Sequence, residues 1–320
     1  MKKYYAGLDL GGTFVKGGIV DEEGKILVKD KIPTGRERPY AEIAADMARL
    51  VKDLAVRADL AEGQLAGVGI GSPGLIDAEN GVIVYSNNIR WENVPLCGAV
   101  REQLGVPVCI TNDANAAALG EHFCGAGKKF GSMVFITLGT GVGGGIILDG
   151  KLFEGNRSAG AEIGHMVIER GGWQCTCGRR GCFEAYASAT GLIRRTRESM
   201  EAHKESAMWK IAGSLEGVDG RTAFDGMRAG DAAAKQVVEE YISCLAEGVT
   251  NLVNIFRPEA VVLGGGVCAE GETLLAPLRA AVEPHLFGGA EYAPVAIVAA
   301  SLGNDAGLCG AARLAMQRAR

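Results

Sequence analysis

The 320-residue sequence contains no G-x-x-x-x-G-K-[ST] segment, which excludes a P-loop. No Gly-X-Y period runs through it, which excludes a collagen-like chain. Basic residues are not in excess: 33 Lys and Arg against 38 Asp and Glu leave a formal net charge of −5, so nothing favours nucleic acid as a main partner. A basic–apolar–small leader is missing, because Asp9 interrupts the first apolar stretch. The longest uncharged run, Phe130 to Leu148, has 19 residues but holds six glycines and two threonines. A membrane span needs a more uniformly apolar run, and this one reads as strand–turn–strand. These absences lead to the expectation of a soluble, cytoplasmic protein with no membrane partner.

What the chain has in excess is glycine, 48 residues of 320, about twice the usual share of ~7%. With 48% apolar and 22% charged residues it can bury a large core, and its length suggests about two domains. Apolar-rich segments at 4–10, 13–20 and 25–33, punctuated by glycine, read as a three-stranded meander. Helical spacing over 40–57 is followed by a strand at 66–71, a helix near 95–104, a strand at 106–111 and a helix at 113–124. Further along, 184–201, 206–214, 222–229 and 231–257 read as helices. A strand at 260–263, another at 294–299 and a terminal helix from Asp305 complete an α/β chain.

An internal repeat sharpens this reading. At an offset of 128, AGLDLGGTFVKGGIV from Ala6 and VFITLGTGVGGGIIL from Val134 share Leu10/Leu138, Gly11/Gly139, Gly17/Gly145 and Ile19/Ile147. Each is strand, glycine turn, strand. Two related domains facing each other are expected, 1–116 and 117–304, with the helix at 305–320 packing back on the first.

The two turns suit phosphate. In DLGGT the glycines let backbone N–H groups approach an anion, Thr13 adds a hydroxyl, Asp9 stands ready to orient a metal-bound water, and Lys16 follows. TLGTG, Thr137 to Gly141, repeats this without the acid. Glycine-tightened hairpins are the plainer alternative for either turn alone. G-x-G-x-x-G also occurs, at Gly69/Gly71/Gly74 and Gly139/Gly141/Gly144, but neither match opens a helix as a dinucleotide site requires.

In ITNDANAAALGEH, Asn112 and Asp113 sit where a strand gives way to a helix. Asp113 reads either as an N-cap or as a carboxylate kept ionised by the helix terminus and able to accept a proton in phosphoryl transfer, with Asn112 positioning the same substrate. Downstream, Cys175, Cys177 and Cys182 with His165 form a Cys₃His set suited to tetrahedral zinc, free thiols or a redox pair being the alternatives. Gly178 and Gly181 permit tight wrapping there, and Arg179 and Arg180 stand to offset thiolate charge. Glu162 and Glu184 flank the set, as acceptors for a polyol or as surface carboxylates. The other six cysteines, Cys97, Cys109, Cys124, Cys244, Cys268 and Cys309, read as small buried thiols. His122, His203 and His285 read as structural or surface residues. Of the glycines, 18 are assigned to the hairpins, turns and zinc loop where backbone would meet ligand, among them Gly7, Gly17, Gly18, Gly69 and Gly145.

Together LDLGGTFVKGG, GIGSPGLID, ITNDANAAALGE, ITLGTGVGGGII, GAEIGHM, CTCGRRGCFE and VVLGGGV resemble the ROK family of sugar kinases and sugar-responsive repressors, over essentially the whole chain. The resemblance implies a two-domain actin-like ATPase (ribonuclease H-like) α/β fold with its active site in an interdomain cleft. It implies that Gly11, Gly12, Thr13, Gly139, Thr140 and Gly141 line the ATP phosphates and that Gly264, Gly265 and Gly266 approach the adenosine. It assigns Asp113 as catalytic base, and Gly74, Asn87, Asn112, Glu162, His165 and Glu184 to the sugar. Magnesium is expected with ATP, structural zinc on His165 and the three cysteines, and a homodimer or homotetramer as the assembly. The short stretch before the first turn leaves no room for a repressor's helix-turn-helix, so a kinase is expected. NNIRW-ENVPL from Asn87, and Leu75 where N-acetylmannosamine kinases can carry a basic residue, favour glucose. N-acetylmannosamine, fructose, mannose and allose are the other hexoses in view, and a catalytically inactive sugar-binding regulator is the alternative of another class.

Overall fold

A computed structural model describes residues 2–318; Met1, Ala319 and Arg320, at the outer ends of the expected first domain and terminal helix, lie outside the described residues. The chain opens with β1 (Tyr4–Leu10), β2 (Phe14–Asp21), β3 (Ile26–Pro33), α1 (Tyr40–Arg57), β4 (Leu65–Ser72), β5 (Leu75–Asp77), β6 (Val82–Ser86), β7 (Trp91–Val94), α2 (Leu96–Leu104), β8 (Val108–Asn112) and α3 (Asp113–Cys124). It continues with β9 (Met133–Leu138), β10 (Val142–Leu148), β11 (Lys151–Phe153), α4 (Phe183–Ala187), α5 (Ala189–Ala202), α6 (Met208–Ala212), α7 (Thr222–Arg228), α8 (Ala232–Phe256), β12 (Ala260–Gly264), α9 (Glu272–Val282), β13 (Ala296–Ala299) and α10 (Ala306–Arg318). Among the described residues no helix is long and apolar enough to cross a membrane.

Two five-stranded sheets have the orders β3-β2-β1-β4-β8 and β11-β10-β9-β12-β13. Position by position these are one topology used twice, with β9, β10 and β11 in the places of β1, β2 and β3. The sequence repeat is thus a structural repeat, and the mixed α/β layout is that of the actin-like ATPase fold. A third sheet, β5-β6-β7, has no counterpart in the sequence reading.

Packing divides the chain into two interleaved units. One takes the chain up to Phe135, Gly145–Ala161 and everything from Ala300; the other takes Ile136–Gly144 and Glu162–Ala299. The expected boundary at 116/117 follows chain order, whereas these units follow contact.

In the first unit, alternation along β1 decides which helix covers which face. Ala6, Leu8 and Leu10 join the core that α1 closes with Ile43, Met47, Leu50, Val51 and Leu54, a stripe at helical spacing. Tyr5, on the opposite face, packs with Leu308, Ala312 and Ala315 of α10. That helix lies almost on the backbone of its neighbours. A Cβ on Gly69 would fall 1.7 Å from Ala311 O, and one on Gly310 would fall 1.6 Å from Ala116 O. Gly7, Gly17, Gly18, Gly69 and Gly145 are therefore packing glycines within strands, and the expectation that they meet ligand is corrected.

The second unit is built on α8, whose buried face carries Val237, Tyr241, Leu245, Val249, Leu252 and Val253. Tyr241, wholly buried, donates its hydroxyl to Ala187 O at 2.8 Å. The helix expected at 184–201 is two helices, broken where Ser188 leaves helical geometry and its side chain accepts the Gly191 N–H to cap α5. Of the six scattered cysteines only Cys97 and Cys309 are buried. Cys109, Cys124, Cys244 and Cys268 are partly exposed, which corrects that reading: Cys109 is on an edge strand, Cys124 ends α3, Cys268 is in a short 3₁₀ turn, and Cys244 meets the polar Arg195 side chain at 3.7 Å. His122 and His203 bond the backbone carbonyls of Phe130 and Ser199, as structural residues do.

Candidate active site

In the first unit the strand ends converge. Parallel pairing puts Asp9 opposite Gly71 and Gly71 opposite Thr111, with Ser72 opposite Asn112. The β1–β2 turn, the end of β4 and the start of α3 thus share one edge of the sheet, the edge where open α/β sheets bind ligands. Gly11, Gly12 and Thr13 form the turn: the Gly11 N–H donates to Phe14 O at 2.9 Å. Thr34 braces it, donating its hydroxyl to Gly11 O at 2.6 Å and its N–H to Thr13 O at 2.9 Å. Fully buried Thr34 is a residue that sequence reasoning missed, since a threonine after a strand carries no signal. Thr13 itself is exposed. Lys16 and Asp9, opposite each other in the hairpin, pair at 3.2 Å. Asp9 lies on the α10 side, where Gly307 leaves it room: a Cβ there would come 3.2 Å from its carboxyl carbon.

Asn112, not Asp113, is the N-cap of α3. Its Oδ1 accepts the N–H groups of Ala114 and Asn115, while its Nδ2 donates to Gly74 O at 3.3 Å. Asp113 is the first helical residue, exposed, with Oδ1 2.9 Å from the Ala114 N–H. Its carboxylate therefore sits in the positive field of the helix terminus. Gly74 has a φ of +109°, and a Cβ on it would fall 2.2 Å from Tyr85 O, so this position is glycine to fit against β6. Asn87 is exposed in the turn between β6 and β7. Asn88 beside it closes on the first turn, its carbonyl 3.0 Å from where a Cβ of Gly12 would be.

The second unit repeats the turn. Thr137 is the penultimate residue of β9, which ends at Leu138; Gly139, Thr140 and Gly141 follow, with Gly139 N–H donating to Gly141 O at 3.0 Å. A Cβ on Gly139 would meet nothing within 4 Å, so space lies open beside this backbone. Three bonds hold the turn from behind. The Ala189 N–H donates to Gly139 O at 2.8 Å, the Thr190 hydroxyl to Thr140 O at 2.7 Å, and the Val142 N–H to Glu184 Oε2 at 3.1 Å. Gly264 ends β12. Gly265 has a φ of +90°, and its absent side chain makes way for the Leu138 backbone. Gly266 opens a short 3₁₀ turn with open space around it.

Glu162 is exposed and begins a 3₁₀ turn, Ile163–His165, seated on β10 through Gly164, whose Cβ would fall 2.2 Å from Val142 O. Val142 thus meets the Glu162–His165 segment on its carbonyl side and Glu184 on its amide side.

The Cys₃His set is assembled. One ligand atom from each of His165, Cys175, Cys177 and Cys182 lies within 4.8 Å of all the others. His165 Nδ1 is 3.7 Å from Cys175 Sγ, and Cys177 Sγ is 3.7 Å from Cys182 Sγ. A tetrahedron with Zn–S bonds of ~2.3 Å has edges of about 3.8 Å, so the donors fit zinc in both chemistry and spacing. Gly178 and Gly181 have φ of +88° and +81°, wrapping the loop. The Arg179 backbone N–H holds the Cys177 thiol below its usual pKa, whereas burial pushes Cys182 up to about 12. Arg179 donates to His165 O at 3.2 Å, and Arg180 instead reaches Gly171 O at 3.3 Å. Of the two arginines only Arg179 bears on a thiolate, which corrects the expectation for Arg180. The loop is pinned further by Trp173 stacked on Tyr186 at 4.7 Å, with Arg194 over the indole at 4.1 Å.

Residues 5–318 match the model of the ROK family. The glucokinase of Thermotoga maritima is 40% identical over 98% of this chain and 97% of its own length. The structure of a ROK family glucokinase from Streptomyces griseus, in complex with glucose and AMPPNP, is similar with a TM-score of 0.79 and 39% identity, covering 98% of this chain and 99% of that one. The ROK hexokinase of Thermus thermophilus gives a TM-score of 0.83 at 35% identity, over 98% and 99% of the two chains. With a matching family model over nearly its whole length, two glycine turns in equivalent places and the zinc-spaced cluster, this chain belongs to the ROK family.

Proposed function

We propose that this protein transfers the γ-phosphoryl group of ATP to glucose, forming glucose 6-phosphate. The observation that carries the reading is the placement of Asp113: an exposed carboxylate at the first turn of α3, on the same sheet edge as a glycine turn and Asp9. Near full-length relatives named as glucokinases, at 38–40% identity, support glucose as the acceptor.

Asp113 accepts the proton of the sugar 6-hydroxyl as its oxygen attacks phosphorus in line, and the helix terminus favours the ionised carboxylate that this requires. Gly74, Asn87, Asn112, Glu162, His165 and Glu184 orient the sugar. Backbone N–H groups at Gly11, Gly12 and Thr13, and at Gly139, Thr140 and Gly141, receive the phosphates, with Lys16 and Thr137 beside them. Gly264 to Gly266 leave room for the adenosine. Magnesium supplies charge neutralisation of the phosphates when bound, and Asp9 offers the oxygen donor that such a hard cation takes. His165, Cys175, Cys177 and Cys182 would hold zinc, which would fix the loop. A cytoplasmic homodimer or homotetramer without nucleic-acid partners completes the proposal.

The test is a coupled assay of ADP release across glucose, mannose, fructose, allose and N-acetylmannosamine, with Asp113→Ala as control. Turnover with glucose and its loss in the variant is the expected result. Glucose binding without sugar-dependent ADP release would instead identify a sugar-binding regulator, and near-normal turnover of Asp113→Ala would remove Asp113 from the mechanism.

A further inference from the structure

We propose that Thr190 and Glu184 are positioning residues of the Thr137–Gly141 turn, and that through them the zinc loop sets nucleotide affinity. The inference rests on that turn being a nucleotide site.

The turn makes few bonds of its own, and its carbonyls and following amide are held from the stretch Glu184–Thr190. Thr190 is the second residue of α5. Its hydroxyl reaches Thr140 O at 2.7 Å, next to the Ala189 N–H on Gly139 O at 2.8 Å. Two consecutive peptide units of the turn are thereby fixed by two consecutive residues of a helix start. Fixing the carbonyls fixes the opposite edges of the same peptide planes, where the N–H groups that would receive a phosphate lie.

Glu184 acts at the other end of the turn. Its Oε2 accepts the Val142 N–H at 3.1 Å, and its Oε1 accepts the Thr176 hydroxyl at 3.3 Å. Thr176 lies between Cys175 and Cys177, so its position follows from how the loop wraps around its metal donors. The path from loop to turn is continuous: Thr176, the Glu184 carboxylate, the Val142 amide. Gly141 permits it, because a side chain there would strike Glu184.

The experiment measures binding of AMPPNP, and separately of glucose, to the zinc-loaded protein by calorimetry, without turnover. The variants are Thr190→Val and Thr176→Val, which remove one hydroxyl each at nearly constant shape. Zinc content and thermal unfolding are recorded for both. One lost hydrogen bond leads to a fall in AMPPNP affinity of about three- to tenfold in each variant, and in Thr190→Val, which touches no residue assigned to the sugar, glucose affinity stays within about twofold of the parent. Removing zinc with a chelator is expected to lower AMPPNP affinity in the parent by more than it does in Thr176→Val, where the hydroxyl link is cut and only the weaker Cys175 Sγ–Glu184 Oε1 contact at 3.8 Å remains. If AMPPNP binding is unchanged in both variants, the proposal is overturned. If only Thr190→Val weakens it, the link to the zinc loop is overturned. If the parent itself binds no AMPPNP, the nucleotide-site reading fails instead.

Discussion

A Cβ on Gly141 would fall 2.3 Å from Glu184 Oε2, the oxygen that accepts the Val142 N–H. The obstructing atom is the end of a flexible side chain, so Gly141→Ala is expected to fold. The carboxylate swings away and the Val142 bond is lost. The apparent KM for ATP should rise about three- to tenfold, the worth of one hydrogen bond, and that for glucose should rise with it because Glu184 also serves the sugar. Steady-state kinetics on the variant check this, and an unchanged KM would show the contact to be idle.

Gly265 and Gly139 should respond in opposite ways to alanine. At Gly265 the φ is +90° and the Leu138 backbone lies 2.4–2.6 Å from the new Cβ, atoms that cannot swing aside. Gly265→Ala is expected to cost about 3 kcal/mol or more in urea unfolding. Gly139→Ala meets open space, and its stability should stay within about 1 kcal/mol of the parent.

Asp113 and Asn112 divide chemistry from capping. Asp113→Asn is expected to lower kcat by about 10²- to 10⁴-fold, with the unfolding midpoint nearly unchanged. Asn112→Ala removes the cap on α3 and the bond to Gly74 O, and should cost about 1–2 kcal/mol of stability. Paired kinetic and thermal measurements separate the two. Equal loss of stability in both variants would contradict the division.

Metal analysis of the purified protein should find about one zinc per chain. Cys182→Ser should lose the metal and melt earlier, since buried Cys182 is wrapped by the loop and followed directly by the core residue Phe183. A zinc-free, fully stable and fully active protein would refute the Cys₃His centre.

Asp231 gives a pH prediction. Burial works to raise its pKa, but the Ala234 N–H, the Ser206 hydroxyl and the Ala207 N–H together hold it below the usual 3.8. A carboxyl depressed in the folded state stabilises fully above its unfolded value, and that contribution is lost as pH falls through the lower folded value. Asp231→Ala should cost about 1–2 kcal/mol at pH 7, and the gap between variant and parent should shrink below about pH 4. A gap independent of pH would show that the carboxylate charge does not matter.

Much of this molecule was legible in its sequence. The meander, α1, α8 and the repeat stand out because they are long or strongly periodic, β12 because an unbroken apolar run ends on three glycines, and the zinc set because thiols and imidazole at that spacing have few other uses. The β5-β6-β7 sheet and the break at Ser188 were not legible, being local events shorter than any period. Thr34 and Thr190 were invisible for another reason: each acts on carbonyls distant in the chain, Thr34 through its hydroxyl and N–H and Thr190 through its hydroxyl, and nothing in their own neighbourhoods marks them.

The glycine excess marks where sequence stops and structure begins. Sequence determined that glycine clusters in two equivalent turns, because a turn is local and its chemistry is written in consecutive residues. It could not separate Gly139, with open space around it, from Gly69, pressed against Ala311 O, since both are glycines at strand and turn positions. Only tertiary packing made that separation. What stands on the vacant side of a glycine, solvent and ligand or the backbone of a helix more than 200 residues away, depends on contacts that chain order does not encode.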